Sequence, residues 1–191
     1  MRQLSSRSRI RRMANLVDKR CESVEWWTPE RVLEPIRKYF NGLVLDPATA
    51  PSNPTGAEHF FTREDNGLLR GWDDGTFLNP PYGPEMKEWL AKLKKESLEG
   101  WEIICLLPAS RWEQQYLQEC AFNQSLSGMC LIRKRLQFID GTKGETCKSN
   151  PYASILYGYN LSQWDLFKDC FSSLGTVLKI GEILVHDEIN E

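Results

Sequence analysis

The stretch Leu78-Asn79-Pro80-Pro81-Tyr82-Gly83 constrains this chain more than any other. It follows the apolar pair Phe77-Leu78, which reads as a strand end. It precedes Met86, Trp89, Leu90 and Leu93, spaced as one apolar face of a surface helix. A strand opening through a loop onto a helix is where open α/β sheets place ligand sites. Consecutive prolines fix two φ angles and donate no backbone N–H. The first of them also pushes Asn79 into an extended conformation. The loop is therefore stiff, with carbonyls free to accept hydrogen bonds and with Asn79 and Tyr82 held on either side.

That arrangement suits the gripping of a planar amino group. An exocyclic NH2 on a ring is a poor nucleophile because its lone pair is delocalised. The Asn79 side-chain oxygen and the Pro80 carbonyl can each accept one of its hydrogens, which favours a more tetrahedral nitrogen and turns the lone pair outward. The Tyr82 ring can stack on the base, as enzymes that extrude a nucleotide require. The plainer reading is a Pro-rich turn. With Pro near 5% of residues, however, Asn-Pro-Pro-Tyr arises by chance in roughly one chain per thousand.

Elsewhere the pattern alternates strands with helices, which implies an α/β sheet with parallel strands. Thr28-Pro29 reads as an N-cap followed by the first helical position, and Val32, Leu33, Ile36, Tyr39 and Phe40 continue at helical spacing. Pro35 predicts a kink there or two short helices, and Asn41-Gly42 a stop. Trp26-Trp27 ahead of this helix lines a ligand pocket or packs in the core. Leu43 to Leu45 reads as a short strand ending at Asp46, a carboxylate that binds a polar or cationic cofactor group or makes a local turn. Asn66 contacts a base-like ring or occupies a turn. Ile103 to Leu107 is a continuous apolar run, the mark of a strand buried on both faces. Ser110 and Glu113 form a capping box, predicting a helix with Trp112, Tyr116 and Cys120 on one face. Met129 to Ile132 and Ala153 to Tyr157 read as strands of a hairpin whose basic loop reaches into a DNA groove or is simply solvated. Leu161 to Leu174 reads as a helix closed by Gly175, with a last strand somewhere in 176–185.

A length of 191 residues is enough for one domain. Residues 1–22 read as a basic arm, 23–181 as the catalytic domain and 182–191 as an acidic tail. The first 20 residues hold seven Lys or Arg against Asp18, so a net charge of −2 leaves −8 on the rest. Such an arm either holds phosphates or is solvated. Its lack of an apolar core argues against a signal peptide, and no run is long enough to span a membrane. A cytoplasmic protein is expected. Cys21, Cys105, Cys120, Cys130, Cys147 and Cys170 form no CxxC pair and there are two histidines, His59 and His186. No metal site and mostly buried free thiols are therefore expected.

Taken in order, these landmarks resemble the amino-group DNA methyltransferases, and most closely the Dam-like DNA N6-adenine methyltransferases of phages and prophages. Asn79-Pro80-Pro81-Tyr82 matches the catalytic motif in full. Trp27-Thr28-Pro29, Asp46-Pro47-Ala48 and Asn66-Gly67-Leu68 with Trp72 are similar to the segments that contact the cofactor. Leu107-Pro108-Ala109 and Arg135-Leu136-Gln137-Phe138 look like later landmarks. The resemblance implies a Rossmann-like methyltransferase fold, with a mostly parallel sheet flanked by helices. That fold is abbreviated between the first strand and the catalytic loop, since 33 positions separate Asp46 from Asn79. It implies S-adenosylmethionine as cofactor and double-stranded DNA as partner, met by Arg133, Lys134, Arg135, Lys143 and a base-stacking Phe138. Monomer and homodimer both remain open. The same motif also serves cytosine N4, RNA and protein glutamine methylation, and a silent DNA-binding or antirestriction protein is a further alternative. The first motif departs from the usual Gly-rich form, with Thr49-Ala50-Pro51 in its place.

Overall fold

The computed structural model describes residues 26–110, 112–147 and 152–181. The expected basic arm at 1–22 and acidic tail at 182–191 lie outside them. The strands are β1 (Trp26–Trp27), β2 (Leu45–Asp46), β3 (His59–Phe60), β4 (Thr76–Leu78), β5 (Ile103–Pro108), β6 (Leu126–Ile132), β7 (Ile139–Asp140), β8 (Ser154–Tyr159) and β9 (Gly175–Lys179). The helices are α1 (Glu30–Phe40), α2 (Met86–Leu98) and α3 (Trp164–Phe171), with a π-helical turn at Leu117–Ala121.

Seven strands form one sheet in the order β3-β2-β4-β5-β8-β6-β9, and β1 pairs with β7 in a separate ribbon. The pairs β3-β2, β2-β4 and β4-β5 are parallel. The pairs β5-β8, β8-β6 and β6-β9 are antiparallel. The sheet is thus mixed rather than mostly parallel. The physical reason is that β8 inserts between β5 and β6 and runs antiparallel to both.

Side chains alternate across the sheet into two cores. Ile104 and Leu106 of β5 join α1 and α3, through Val32, Leu33, Ile36, Phe167 and Phe171. Ile103, Cys105 and Leu107 join α2 and the π-turn, through Trp89, Leu90, Leu93, Leu117 and Ala121. Helices cover both faces, so the uninterrupted apolar run of β5 is what burial demands.

Several elements differ from expectation. α1 is continuous through Pro35, with Pro29 at the N-cap position and Asn41 closing it at φ 53. The helix expected after the Ser110–Glu113 capping box starts late and is short: Gln115 and Tyr116 are α-helical and run into the five-residue π-turn. β2 is two residues long and starts at Leu45. Between β2 and β4 the chain makes no helix and only the two-residue β3, as the short spacing implied. Cys105, Cys130 and Cys170 are buried free thiols and Cys120 is half-buried, whereas Cys147 is disulfide-bonded, contrary to the expected free thiol.

Phe167 is fully buried, edge-on to Tyr39 and 4.6 Å from Phe171. Phe167→Ala should lower the unfolding free energy by about 3–5 kcal/mol. Leu69→Ala, at a side chain 81% exposed, should change it by less than about 0.5 kcal/mol. Urea titration of both variants checks the pair.

Candidate active site

β2, β4 and β5 run parallel, so their C-terminal ends open on one edge of the sheet. The Leu45–Thr76 register sets Asp46 beside Phe77, two residues before Asn79. Asn79 follows β4 directly, and its amide has a defined orientation. Its Nδ2 donates to the Trp26 carbonyl at 3.2 Å and to Thr28 Oγ1 at 3.1 Å. The Trp26 carbonyl can only accept, so the nitrogen must be the end that faces it. Flipping the amide would set two oxygens against each other. Asn79 Oδ1 is left buried, with no partner among the described residues. Buried acceptors are rarely left so.

Thr28 therefore does not cap α1, as its place before Pro29 suggested. The helix start has no side-chain cap, and the hydroxyl is spent on Asn79. Trp26 comes to the site because β1 pairs antiparallel with β7, with Trp26 opposite Asp140 and Trp27 opposite Ile139. The Trp26 ring packs on Phe138 at 5.6 Å. Trp27 Nε1 is another buried group without a partner among the described residues, here a donor.

On the far side of Asn79, Pro80 is buried while Pro81 and Tyr82 are exposed. The Pro80 carbonyl accepts no hydrogen bond from the described residues. The Tyr82 hydroxyl reaches the Leu106 carbonyl at 3.4 Å, and enclosure of that end pushes its pKa up. The ring itself is 38% exposed and stands edge-on to Phe138 at 6.2 Å. Phe138, expected to stack on a base, is 1% exposed. It lies beneath Tyr82 and Trp26 and offers no open face of its own.

Asp46 is buried at the end of β2. Its Oδ1 accepts from the Ala48 N–H at 3.1 Å and its Oδ2 from Thr55 Oγ1 at 2.8 Å. Pro47 meets the next loop at Gly67, where a Cβ would collide with the Pro47 carbonyl. That contact explains why glycine follows Asn66. Asn66 itself sits at φ 53 and accepts from the Leu68 N–H at 3.3 Å, so it occupies a turn. Trp72 Nε1 bonds to the Gly67 carbonyl at 3.0 Å, and its backbone N–H to Glu96, which is buried and paired with Lys92. Arg133, Lys134 and Arg135 are exposed where the chain leaves β6. The Lys143 N–H donates to the Asp140 carbonyl in the turn after β7. Sequence reasoning missed the roles of the Trp26 carbonyl and Thr55, for which no local signal exists.

The model of the DNA N-6-adenine-methyltransferase (Dam) family matches residues 17–177. The chain belongs to this family. A search of curated proteins returned no match. Membership implies DNA adenine methylation, and it spans every residue of the edge just described. Among the described residues no group of three His, Cys, Asp or Glu is placed to hold a metal, and no helix is long and apolar enough to cross a membrane.

Asp46 generates a pH-dependent stability. Burial pushes its carboxyl up from 3.8 to about 6, against the lowering effect of hydrogen bonds from Ala48, Thr55 and Thr49. The folded chain therefore holds a proton that the unfolded chain has lost between these values. Stability should fall as pH rises through about 4 to 6, then level off. Asp46→Asn should remove that component, about 1–3 kcal/mol. The check is the difference between wild-type and variant denaturation midpoints at pH 4.5 and pH 7.

Proposed function

We propose that the chain methylates the N6 amino group of an adenine extruded from duplex DNA, with S-adenosylmethionine as donor. The observation that carries this reading is Asn79 Oδ1, a buried acceptor fixed in direction and without a partner among the described residues. The Pro80 carbonyl supplies a second acceptor. Together they hold the two amino hydrogens, favour a tetrahedral nitrogen and stabilise positive charge developing on it. Tyr82 presents a ring for the base to stack on, with Phe138 fixing its angle from below. The cysteines need no part in this, since no covalent enzyme intermediate is required.

The residues fit the donor. Asp46, Pro47 and Ala48 would hold one part of it at the end of β2, beside the turn at Asn66 and Gly67. Trp27 Nε1 is a buried donor without a partner among the described residues, and Thr28 and Pro29 adjoin Trp27 in the chain. When bound, S-adenosylmethionine supplies a methyl group on a sulfonium, already electrophilic. The chain's contribution is alignment of the amino nitrogen with that methyl carbon. An ionised Asp46 suits a cationic ligand, so donor affinity should weaken below pH 6, where the carboxyl takes its proton.

Incubating the full chain with methyl-labelled donor and duplex DNA, then identifying the modified base, tests the reading. N6-methyladenine is expected, and N4-methylcytosine or an unmodified duplex refutes it. Asn79→Ala should lower turnover about 10²–10³-fold while donor affinity by calorimetry is unchanged. Thr28→Val should lower kcat and leave the KM for DNA alone, and Thr28→Ser should restore it. A Thr28→Val variant that raises only the KM for the donor would assign the hydroxyl to cofactor binding instead.

A further inference from the structure

A cleft of about 570 Å³ lies away from Asn79, between α1 and α3. Arg31, Glu34 and Lys38 line one wall from α1, and Asp169, Cys170 and Ser173 the other. Arg133 and Lys134 close one end. None of the four cations forms an ion pair with a described residue, and Glu34 and Asp169 are the acids that face them. The cleft thus carries a local excess of positive charge on a chain whose net charge is −2.

The rim is built, not loose. The Arg133 N–H donates to the Leu174 carbonyl at 3.0 Å. Arg31 Nη2 reaches the Arg135 carbonyl at 3.5 Å, bridging α1 to the segment after β6. Between them Lys134 is held in the left-handed region at φ 62, unusual for a lysine. Residues kept in sparsely populated conformations cluster where a side chain must be aimed.

Position links the cleft to the catalytic edge. Arg31 lies three residues after Thr28, whose hydroxyl anchors Asn79. Arg135 lies three residues before Phe138, which supports Tyr82. Arg31 to Lys38 is seven residues of helix, about 10 Å. That is the rise of roughly three phosphates along one strand.

We propose that this cleft binds the phosphodiester backbone of DNA flanking the target base, with Arg31, Lys38, Arg133 and Lys134 as phosphate contacts. The proposal rests on the DNA-methyltransferase reading above. A contact of this kind holds the duplex in register and reads no sequence. Each phosphate contact steepens the salt dependence of binding by about 0.9 in the log–log slope. The triple variant Arg31→Gln, Lys38→Gln, Lys134→Gln should therefore lose about 2–3 from that slope, equally on unrelated duplexes. Donor affinity, measured on the same preparations, should stay unchanged and certify the fold. Lys134→Arg should keep the wild-type slope. A control triple on α2, Lys87→Gln, Lys94→Gln, Lys95→Gln, should also keep it.

Wild-type slope and affinity in the first triple variant would overturn the proposal, as would an equal loss in the α2 control. Wild-type protein that binds no duplex at all would instead overturn the methyltransferase reading on which it stands.

Discussion

The site depends on two hydrogen bonds that spend both protons of one amide. Asn79 gives its Nδ2 hydrogens to the Trp26 carbonyl and Thr28 Oγ1. An asparagine left to itself rotates, and either end can face a ligand. Here the carbonyl of a short strand fixes which end is nitrogen, so the oxygen has one place to point. That oxygen is buried without a partner among the described residues. A buried polar group left unpaired costs about 1–3 kcal/mol, and the fold retains it at the end of β4, where the double proline already limits the backbone.

The rest of the architecture brings three distant segments to that point. Parallel pairing of β2 and β4 sets Asp46 and the proline loop on one edge, although the chain between them makes almost no regular structure. The β1–β7 ribbon ties Trp26 and Trp27 to the segment that leaves β6. A segment carrying exposed Arg133, Lys134 and Arg135 is therefore joined, through Phe138 and the ribbon, to the strand that orients Asn79. On the proposed reading, DNA engagement and amide orientation would share this one mechanical link.

The legible parts of the sequence were those governed by local chemistry. Asn79 to Tyr82 announced a stiff acceptor loop because proline geometry is intrinsic. The run from Ile103 to Leu107 announced a doubly covered strand, and Met86 to Leu93 an amphipathic helix, because periodicity reports burial. The errors arose where tertiary contacts overrode local preference. Thr28 has the residue type and position of an N-cap, yet its hydroxyl serves a side chain 51 residues away. Ser110 and Glu113 form a capping box on paper, but the chain turns there and becomes helical only at Gln115, passing at once into the π-turn. β1 and β7 have two residues each and no periodicity to detect. Phe138 resembled a stacking residue in the linear order, and only packing reveals that Tyr82 and Trp26 cover it.

The central claim is that Asn79 Oδ1 is an acceptor held ready for an amino group. A structure of the chain with a non-transferable donor analogue and a duplex tests it most directly. The adenine N6 should lie about 3 Å from Asn79 Oδ1, with Nδ2 still bonded to Trp26 and Thr28. An adenine bound elsewhere, or an Asn79 amide turned away from those two partners, would contradict it.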